Sequence, residues 1–340
     1  MVVERLSMLV PNGVKDLSQQ DLENKQQMLG EIARLFKESG YREVQTPIFE
    51  YYDLFKEIKG TLEMDRMIKV IDTDGKVLVL RPDATIPIAR MAASQGADPQ
   101  ELRRFSYVTS IFRMADDPHN VQSREFTQAG VELFGDGGTG ADVEVVALAI
   151  SCLQKVGVSE FTFDLGQAKF FKALLAETSL TSEEQADLQR LIEHKNFADL
   201  KRLVDTLAIP NEVRQALRAI PKLYGPPEMV LKKARSVILN AEMETSIAEL
   251  ADVYAALTEA GCGGHLTIDL GLMGNLKYYT GVLFQGYVMG YGKLIVLGGG
   301  YDGLGKYFGC DIKATGFAIY VDDLIAAVKN QERLTRNGLH

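Results

Sequence analysis

The chain has 340 residues, of which 46% are hydrophobic and 24% charged, and its net charge is −9. These values are ordinary for a globular protein that buries a substantial core, as one large domain with an insertion or as two domains. The acidic balance, without a long Lys/Arg block, argues against a nucleic-acid-binding protein. Cys152, Cys262 and Cys310 lie far apart and form no CxxC pair, so we expect no structural zinc and a reducing cytosol. Because no apolar run suits a signal peptide or a membrane span, we expect a soluble, cytoplasmic protein without membrane contact.

The first half of the chain predicts helices and strands from turn residues and apolar periodicity. Ser18 and Asp21 are typical of a helix start, and Ser39-Gly40 of its end. Pro47 favours the edge or the end of a strand. In chain order the predicted elements are a helix over 18–39, a strand-like stretch over 41–55, a hairpin over 67–80, paired strands at 106–114 and 125–135, and a helix over 141–157.

The second half changes character twice. From about 168 to 244 the sequence is a series of amphipathic helical units with almost no strand pattern, which predicts an all-helical insertion. Strand patterns then return, and few βαβ repeats occur. We therefore predict an α+β fold, an antiparallel sheet flanked by helices. The predicted parts are a core of 1–167 and 245–330, a helical insertion at 168–244 and a tail at 331–340.

A glycine cluster near the C-terminus resembles the glycine-rich motif of a nucleotide-binding site. Gly298, Gly300 and Gly303 satisfy GxGxxG, and Asp322 follows about 20 residues later, as a dinucleotide fingerprint requires. The context does not fit, because that motif should open a βαβ unit with a long helix. We favour a tight glycine turn beside a ligand or a closely packed backbone.

The strand predicted over 125–135 has one polar face. Because strand residues alternate between faces, Gln128, Gly130 and Glu132 lie together. An amide and a carboxylate with a gap between them suit the binding of an ammonium group in a concave sheet. A solvated outer face is an equally good explanation. The opposite face carries Thr127, Ala129, Val131 and Leu133.

Other candidate residues are individually weak. Asp83 and Thr85, in LRPDATIPIAR, suit amine binding, although a turn or a helix cap is the better explanation of that pair alone. Arg113 ends a strand, where it could hold a phosphate or carboxylate or pair with a nearby aspartate. Tyr278 and Tyr279 point to opposite faces, so at most one lines a given pocket wall. The four histidines show no metal or triad spacing.

The order of these motifs resembles the catalytic domain of class II aminoacyl-tRNA synthetases, and histidyl-tRNA synthetase in particular. The resemblance runs from PNGVKD to about residue 328, interrupted by the helical insertion. The segment around Pro47 resembles the dimer-forming motif 1, and LRPDAT resembles the amino-acid-binding LRPEGT. FRM…SREFTQAGVE resembles motif 2, LKYYTGVLF the histidine-specific motif, and GGGYDGL…GFAIYVDDL motif 3 with its approach. The resemblance implies a histidine-like ligand held by Asp83, Thr85, Gln128, Glu132 and one or both of Tyr278 and Tyr279, with Arg113 near its carboxylate.

The departures from the synthetase pattern concern ATP. Asp323 stands where motif 3 carries its ATP-clamping arginine, and Gly274 where the histidine-specific motif carries another. A carboxylate near a triphosphate is repulsive, and each missing clamp costs orders of magnitude in rate, so we expect adenylation to be lost. The 12 residues after Val328 (329–340) leave no room for an anticodon-binding domain, so we also expect no tRNA binding.

A chain with a kept histidine pocket and an altered ATP site resembles the regulatory subunits of ATP phosphoribosyltransferase. The resemblance implies a non-catalytic, cofactor-free dimer in a hetero-octamer. It would activate the short catalytic subunit in the first step of histidine biosynthesis and relay feedback inhibition by histidine. The alternative is a truncated synthetase-like enzyme that adenylates histidine or a related substrate. A third candidate is an interaction protein with an empty pocket, which the presence of Gln128 and Glu132 disfavours.

Overall fold

The computed structural model describes residues 10–58, 64–94, 101–114, 123–135, 137–273 and 279–336. In these ranges a nine-stranded sheet and a three-stranded sheet are surrounded by helices. The strands are β1 (Arg42–Glu43), β2 (Phe49–Tyr51), β3 (Lys69–Ile71), β4 (Val77–Leu80), β5 (Arg103–Phe112), β6 (Glu125–Phe134), β7 (Phe161–Gln167), β8 (Tyr224–Gly225), β9 (Leu266–Asp269), β10 (Val282–Val288), β11 (Leu294–Gly300) and β12 (Ala314–Tyr320). The helices are α1 (Gln19–Glu38), α2 (Tyr52–Glu57), α3 (Thr85–Ser94), α4 (Thr139–Lys155), α5 (Ala168–Ala176), α6 (Ser182–Glu193), α7 (Phe197–Thr206), α8 (Asn211–Ala219), α9 (Pro227–Ala234), α10 (Ala241–Glu259) and α11 (Val321–Arg336).

The large sheet is mixed rather than purely antiparallel. Its strand order is β1-β5-β6-β12-β11-β10-β7-β9-β8. Most neighbours are antiparallel, as predicted, and β5 and β6 pair along their full ten-residue length. The pairs β1·β5 and β7·β9 are parallel, so the prediction of an antiparallel sheet was wrong there. Parallel neighbours require a crossover connection, and the β7–β9 connection contains the helices of the predicted insertion.

Strand alternation gives the large sheet two different faces. The back face carries Ala129, Val131 and Leu133 of β6 in a hydrophobic core beneath α1, α4, α10 and α11. Phe36 of α1 meets Phe317 of β12 edge to face there, with 5.9 Å between the ring centroids. We call the other side, which carries Gln128, Gly130 and Glu132, the front face. It packs partly against α3 through a second apolar cluster.

The segment 168–244 holds the whole of helices α5 to α9, the first turn of α10 and the two-residue strand β8, which extends the large sheet beside β9. Thr181 starts α6 with a capping box, in which its hydroxyl and the Glu184 carboxylate bond each other's backbone N–H groups. Leu188, Leu200 and Leu217 from this segment belong to the same buried cluster as the back-face core. The domain boundaries stay a prediction.

The region around Pro47 is less extended than predicted. Only β2 is a strand just after the proline, and the chain then enters helix α2, which the strand-like pattern did not indicate. β2 pairs with β4 of the predicted hairpin, which forms with β3 and β4 around Asp74-Gly75. No helix in the described ranges has both the length and the apolar character needed to cross a bilayer.

Candidate functional site

The predicted ligand residues meet at a pocket on the front face. β6 places Gln128 and Glu132 there, and both are buried, with 3% and 1% of their surface exposed. The alternative of a solvated polar face is therefore wrong. The neighbouring strands place Tyr107 of β5 opposite Gly130, and Gly316 of β12 opposite Glu132. The lack of a side chain at Gly316 is essential, because a Cβ atom there would overlap Oε2 of Glu132.

Glu132 is the most perturbed carboxyl group of the pocket. Burial raises its pKa from 4.5 to about 8, and hydrogen bonds from the Tyr301 and Thr85 hydroxyls oppose that rise. Tyr301 donates its hydroxyl to Oε2. Oε1 has no hydrogen-bond partner among the residues that the structure describes. A buried oxygen of this kind is costly unless a ligand or water satisfies it.

Asp83 and Thr85 stand at the start of α3 beside the pocket. Oδ1 of Asp83 accepts the N–H of Ile86 at 2.9 Å, so the helix-cap explanation of this residue is correct. Burial raises the pKa of Asp83, while the charge of Arg113 lowers it. Nε of Arg113 donates to the carbonyl of Pro82 at 2.7 Å, which holds its guanidinium beside the aspartate. Because the charge of Asp83 also raises the pKa of Glu132, the two carboxyl groups lie within electrostatic reach of each other.

Of the two candidate tyrosines, only Tyr279 lies in the described ranges; Tyr278 falls outside them, as do Gly274 and Lys277. Tyr279 is buried, and its pKa is raised by burial first and then by neighbours that include Glu132 and Asp83. The carbonyl oxygen of Tyr279 accepts a hydrogen bond from Nζ of Lys172 at 2.6 Å, and this bond connects the pocket wall to α5.

The segments that resemble motifs 2 and 3 contact each other and neighbouring elements. The Phe126 ring contacts that of Tyr320, with centroids 5.7 Å apart, and the Arg113 guanidinium lies 5.5 Å from its centroid. Asp323 accepts the Tyr291 hydroxyl at 2.7 Å. Asp322 accepts the N–H of Thr127 at 2.7 Å and pairs with Lys25 at 2.8 Å. Both aspartates thus fasten the first turn of α11 to neighbouring elements.

The glycine cluster is a packed strand. Gly298 and Gly300 belong to β11, not to a strand-to-helix turn, so the dinucleotide interpretation is wrong. A Cβ atom at Gly298 would lie 2.6 Å from the carbonyl oxygen of Gly316 and 2.7 Å from Cβ of Phe317. Within the described ranges no three His, Cys, Asp or Glu side chains form a metal-binding group.

Three residues of this region did not emerge from the candidate list. Tyr107 and Tyr301 border the pocket, and Arg81 bonds to Thr109 of β5, which lies opposite Gln128. Arg81 is buried and donates to the carbonyls of Thr46 at 2.8 Å and Ser110 at 3.0 Å. The register of β5 against β6 would have identified Tyr107, because it lies opposite Gly130.

Comparison with known proteins identifies the family. Residues 13–324 match the family described as histidyl-tRNA synthetase. The ATP phosphoribosyltransferase regulatory subunit of Oceanobacillus iheyensis is 38% identical, over 91% of this chain and 75% of the relative. That of Alkaliphilus metalliredigens is 36% identical, over 99% and 85%. The chain belongs to the ATP phosphoribosyltransferase regulatory subunits, within the histidyl-tRNA synthetase family. Members of this regulatory family are therefore the proteins with which its pocket should be compared.

Solved structures agree with the regulatory-subunit assignment. A Bacillus halodurans protein described as an ATP phosphoribosyltransferase regulatory subunit/histidyl-tRNA synthetase superposes with a TM-score of 0.85 at 31% identity, over 94% of this chain and 83% of that one. Histidyl-tRNA synthetase from Nostoc superposes with a TM-score of 0.78 at 20% identity, over 98% and 76%, and bears on the fold alone. The class II tRNA synthetase-like fold predicted from the sequence is confirmed, with a mixed sheet.

Proposed function

We propose that this chain is a non-catalytic regulatory subunit that activates the short catalytic subunit of ATP phosphoribosyltransferase and responds to histidine bound in the front-face pocket. The observation that carries the proposal is Oε1 of Glu132, which is buried and has no hydrogen-bond partner among the described residues, on the same face as Gln128 and near Thr85 and Asp83. The names of the relatives support a role beside a catalytic partner in histidine biosynthesis.

The charges of the pocket suit a histidine-like ligand. Asp83 and Gln128 offer acceptor oxygens to an ammonium group, and Glu132 offers one to an imidazole ring. Arg113, held beside Asp83 by its bond to the carbonyl of Pro82, is the proposed partner of the ligand carboxylate. Tyr279 supplies a buried aromatic wall, and Tyr278 remains a predicted contact. Glu132→Ala should weaken histidine binding without loss of assembly, and unchanged affinity by calorimetry would place the histidine sensor elsewhere.

Adenylation is disfavoured by the same surroundings. Asp323, in the place of the motif 3 arginine, supplies a negative charge and is bonded to Tyr291. The rival proposal, a synthetase-like enzyme that adenylates histidine, requires several cations at the triphosphate, and a carboxylate at Asp323 replaces one of them.

Self-association is proposed to use the three-stranded sheet. Phe49, Tyr51 and Val70 share one face of it and are 52%, 55% and 37% exposed. Adjacent exposed apolar side chains of this kind mark interaction surfaces. We expect Phe49→Asp to convert a dimer to a monomer by light scattering, whereas Met289→Asp, an exposed apolar position outside that sheet, should not. A hetero-octamer would add catalytic subunits to such dimers.

The deciding experiment mixes this chain with a short-form catalytic subunit. Phosphoribosyl-ATP formation is followed with and without histidine, and the size of the complex is followed by light scattering. Activity and a large complex that appear only in the mixture support the proposal. ATP–pyrophosphate exchange that depends on histidine, without activation of the partner, would support the synthetase-like alternative instead. Binding of tRNA, tested by gel shift, should be absent.

A further inference from the structure

The predicted helical insertion leaves an open cleft of about 300 Å³ between α5 and α6. The face of α5 towards it carries Ala168, Phe171, Lys172 and Leu175. Their spacing of three, four and seven positions is that of one side of a helix. Tyr279, the buried wall of the front-face pocket, also lines this space, which we call the α5–α6 cleft.

The face of α6 towards the cleft is small or polar. Ser182, Gln185, Ala186 and Gln189 occupy it at the same helical spacing. The buried Leu188 of α6 belongs instead to the back-face core. Long apolar side chains that interdigitate normally close the gap between packed helices, and this face of α6 offers none. The two helices therefore lie beside each other without filling the space between them.

Lys172 gives the cleft a positive charge. It is the only charged side chain among the described residues that line the cleft. Its Nζ donates to the carbonyl oxygen of Tyr279 at 2.6 Å, which positions the ammonium group and leaves two of its three N–H donors for a ligand. A cation in a cleft lined by no carboxylate of the described residues attracts an anion.

The two glutamines add further hydrogen-bond donors. Nε2 of Gln185 donates to the carbonyl oxygen of Leu180 at 3.0 Å, and Nε2 of Gln189 donates to Oε1 of Glu193 at 3.1 Å. These bonds orient the amides, and each amide nitrogen has a second N–H that they do not use. Amide and ammonium donors together suit the oxygens of a carboxylate.

We propose that the α5–α6 cleft binds a small organic acid, whose carboxylate pairs with Lys172 and whose apolar part lies against Phe171 and Leu175. Small-molecule pockets have volumes of about 300–1,000 Å³ and combine a mainly apolar lining with a few polar groups. The α5–α6 cleft has both properties. This second site is separate from the front-face pocket and does not depend on the binding of histidine there.

The first test uses the unaltered full chain and two probes of nearly equal shape. 1-Naphthoate carries a carboxylate on an apolar ring system, and 1-naphthalenemethanol carries a neutral hydroxyl group instead. We expect naphthoate to bind saturably by calorimetry and about fivefold more tightly than the alcohol, near the upper end for an exposed ion pair. Equal affinities, or no saturable binding of naphthoate, would overturn the proposal.

The second test removes the charge with Lys172→Met, which keeps most of the side-chain length. Naphthoate should then bind no more tightly than the alcohol, and the affinity for the alcohol should stay the same. Lys169→Met is the matched control. Lys169 lies on the same helix but outside the cleft, where it pairs with Glu249 at 2.8 Å, so both affinities should be unchanged.

The third test fills the cleft from the side of α6. Ala186 is exposed and lines the cleft, so Ala186→Phe blocks the space without removing a hydrogen bond. Both probes should bind at least about tenfold more weakly, because their apolar rings then stay in water. Ala198→Phe, at an exposed position of α7, is the control and should bind both probes normally. Equal binding of naphthoate to both variants would contradict the proposed location.

The outcomes also separate this second site from the proposed function. If L-histidine displaces naphthoate and Lys172→Met leaves its affinity unchanged, naphthoate binds in the front-face pocket and the proposal is wrong. If naphthoate binding depends on Lys172 and histidine does not bind at all, the histidine role fails and the cleft remains a binding site. Histidine binding and partner activation without any binding of naphthoate would refute the second site alone.

Discussion

The titration of Glu132 makes stability depend on pH in a way that one substitution can isolate. The pKa of this carboxyl is about 8 in the folded chain, against an ordinary value of 4.5. Between these values the folded chain holds a proton that the unfolded chain has released. The free energy of unfolding must therefore fall as pH rises through this window, and the contribution of Glu132 is lost above about pH 8.

The size of the effect follows from the two pKa values. From pH 6 to pH 9, linkage predicts a loss of about 2.5 kcal/mol of stability from this one group. Glu132→Gln removes this titration. Between pH 6 and pH 9 the free energy of unfolding of the variant should therefore fall by about 2.5 kcal/mol less than that of the unaltered protein. At pH 6 the variant should be less stable by about 1–3 kcal/mol, because a buried amide N–H then lacks an acceptor. The difference between the two pH values, not the absolute stability, is the measured quantity.

Urea unfolding at pH 6 and pH 9, at one protein concentration, gives the four free energies needed. Glu183→Gln, at an exposed position in the first turn of α6, is the matched control and should parallel the unaltered protein. Asp142 also has a raised pKa, and because Glu132 is not among its causes it contributes equally to every protein in the set. If Glu132→Gln and the unaltered protein lose the same stability between pH 6 and pH 9, Glu132 is ionised in the folded chain and the argument from burial is wrong.

Further substitutions test the packing of the large sheet, at two sites near the pocket and at one site where α11 begins. Gly316→Ala should lower the free energy of unfolding by about 2 kcal/mol or more, because the new methyl overlaps the Glu132 carboxylate; an unchanged urea midpoint would mean that the carboxylate is free to move. Arg81→Met should cost about 3 kcal/mol or more, since it leaves several buried carbonyl oxygens without donors, whereas a small loss would show that water replaces the guanidinium. Asp322→Asn should cost about 1 kcal/mol through its partly buried pair with Lys25, and a matching loss in Lys25→Met would assign the effect to that pair.

Strand periodicity was the most reliable part of the sequence interpretation. It assigned Gln128 and Glu132 to one face of β6, and Val131 and Leu133 to the other, as the structure has them. Periodicity could not decide whether the polar face was solvated or buried. That depends on β5, β12 and α3, which are brought against β6 from positions up to about 190 residues away along the chain.

The errors have a common physical cause. β1 has two residues and β9 four, too few to establish a periodic pattern, and their parallel pairing is set by distant partners. Asp322 was considered as the acidic residue of a dinucleotide fingerprint, and Asp323 as the replacement of an ATP-clamping arginine, both from their places in a motif. Their hydrogen bonds to Thr127 and Tyr291 depend on how α11 packs, which the local sequence does not specify.

Arg81 connects the two regions to which function is assigned. On one side its guanidinium binds the carbonyl of Pro47, directly before the exposed three-stranded sheet. On the other it binds Thr109, which lies opposite Gln128 in the β5·β6 register. A planar group with five donors in a fixed fork holds both sides at once, and no other side chain has that geometry. The proposed dimer surface and the pocket therefore both contact the buried Arg81 side chain. A rearrangement at either one must leave the Arg81 hydrogen bonds intact, or it will change the position of the other through them.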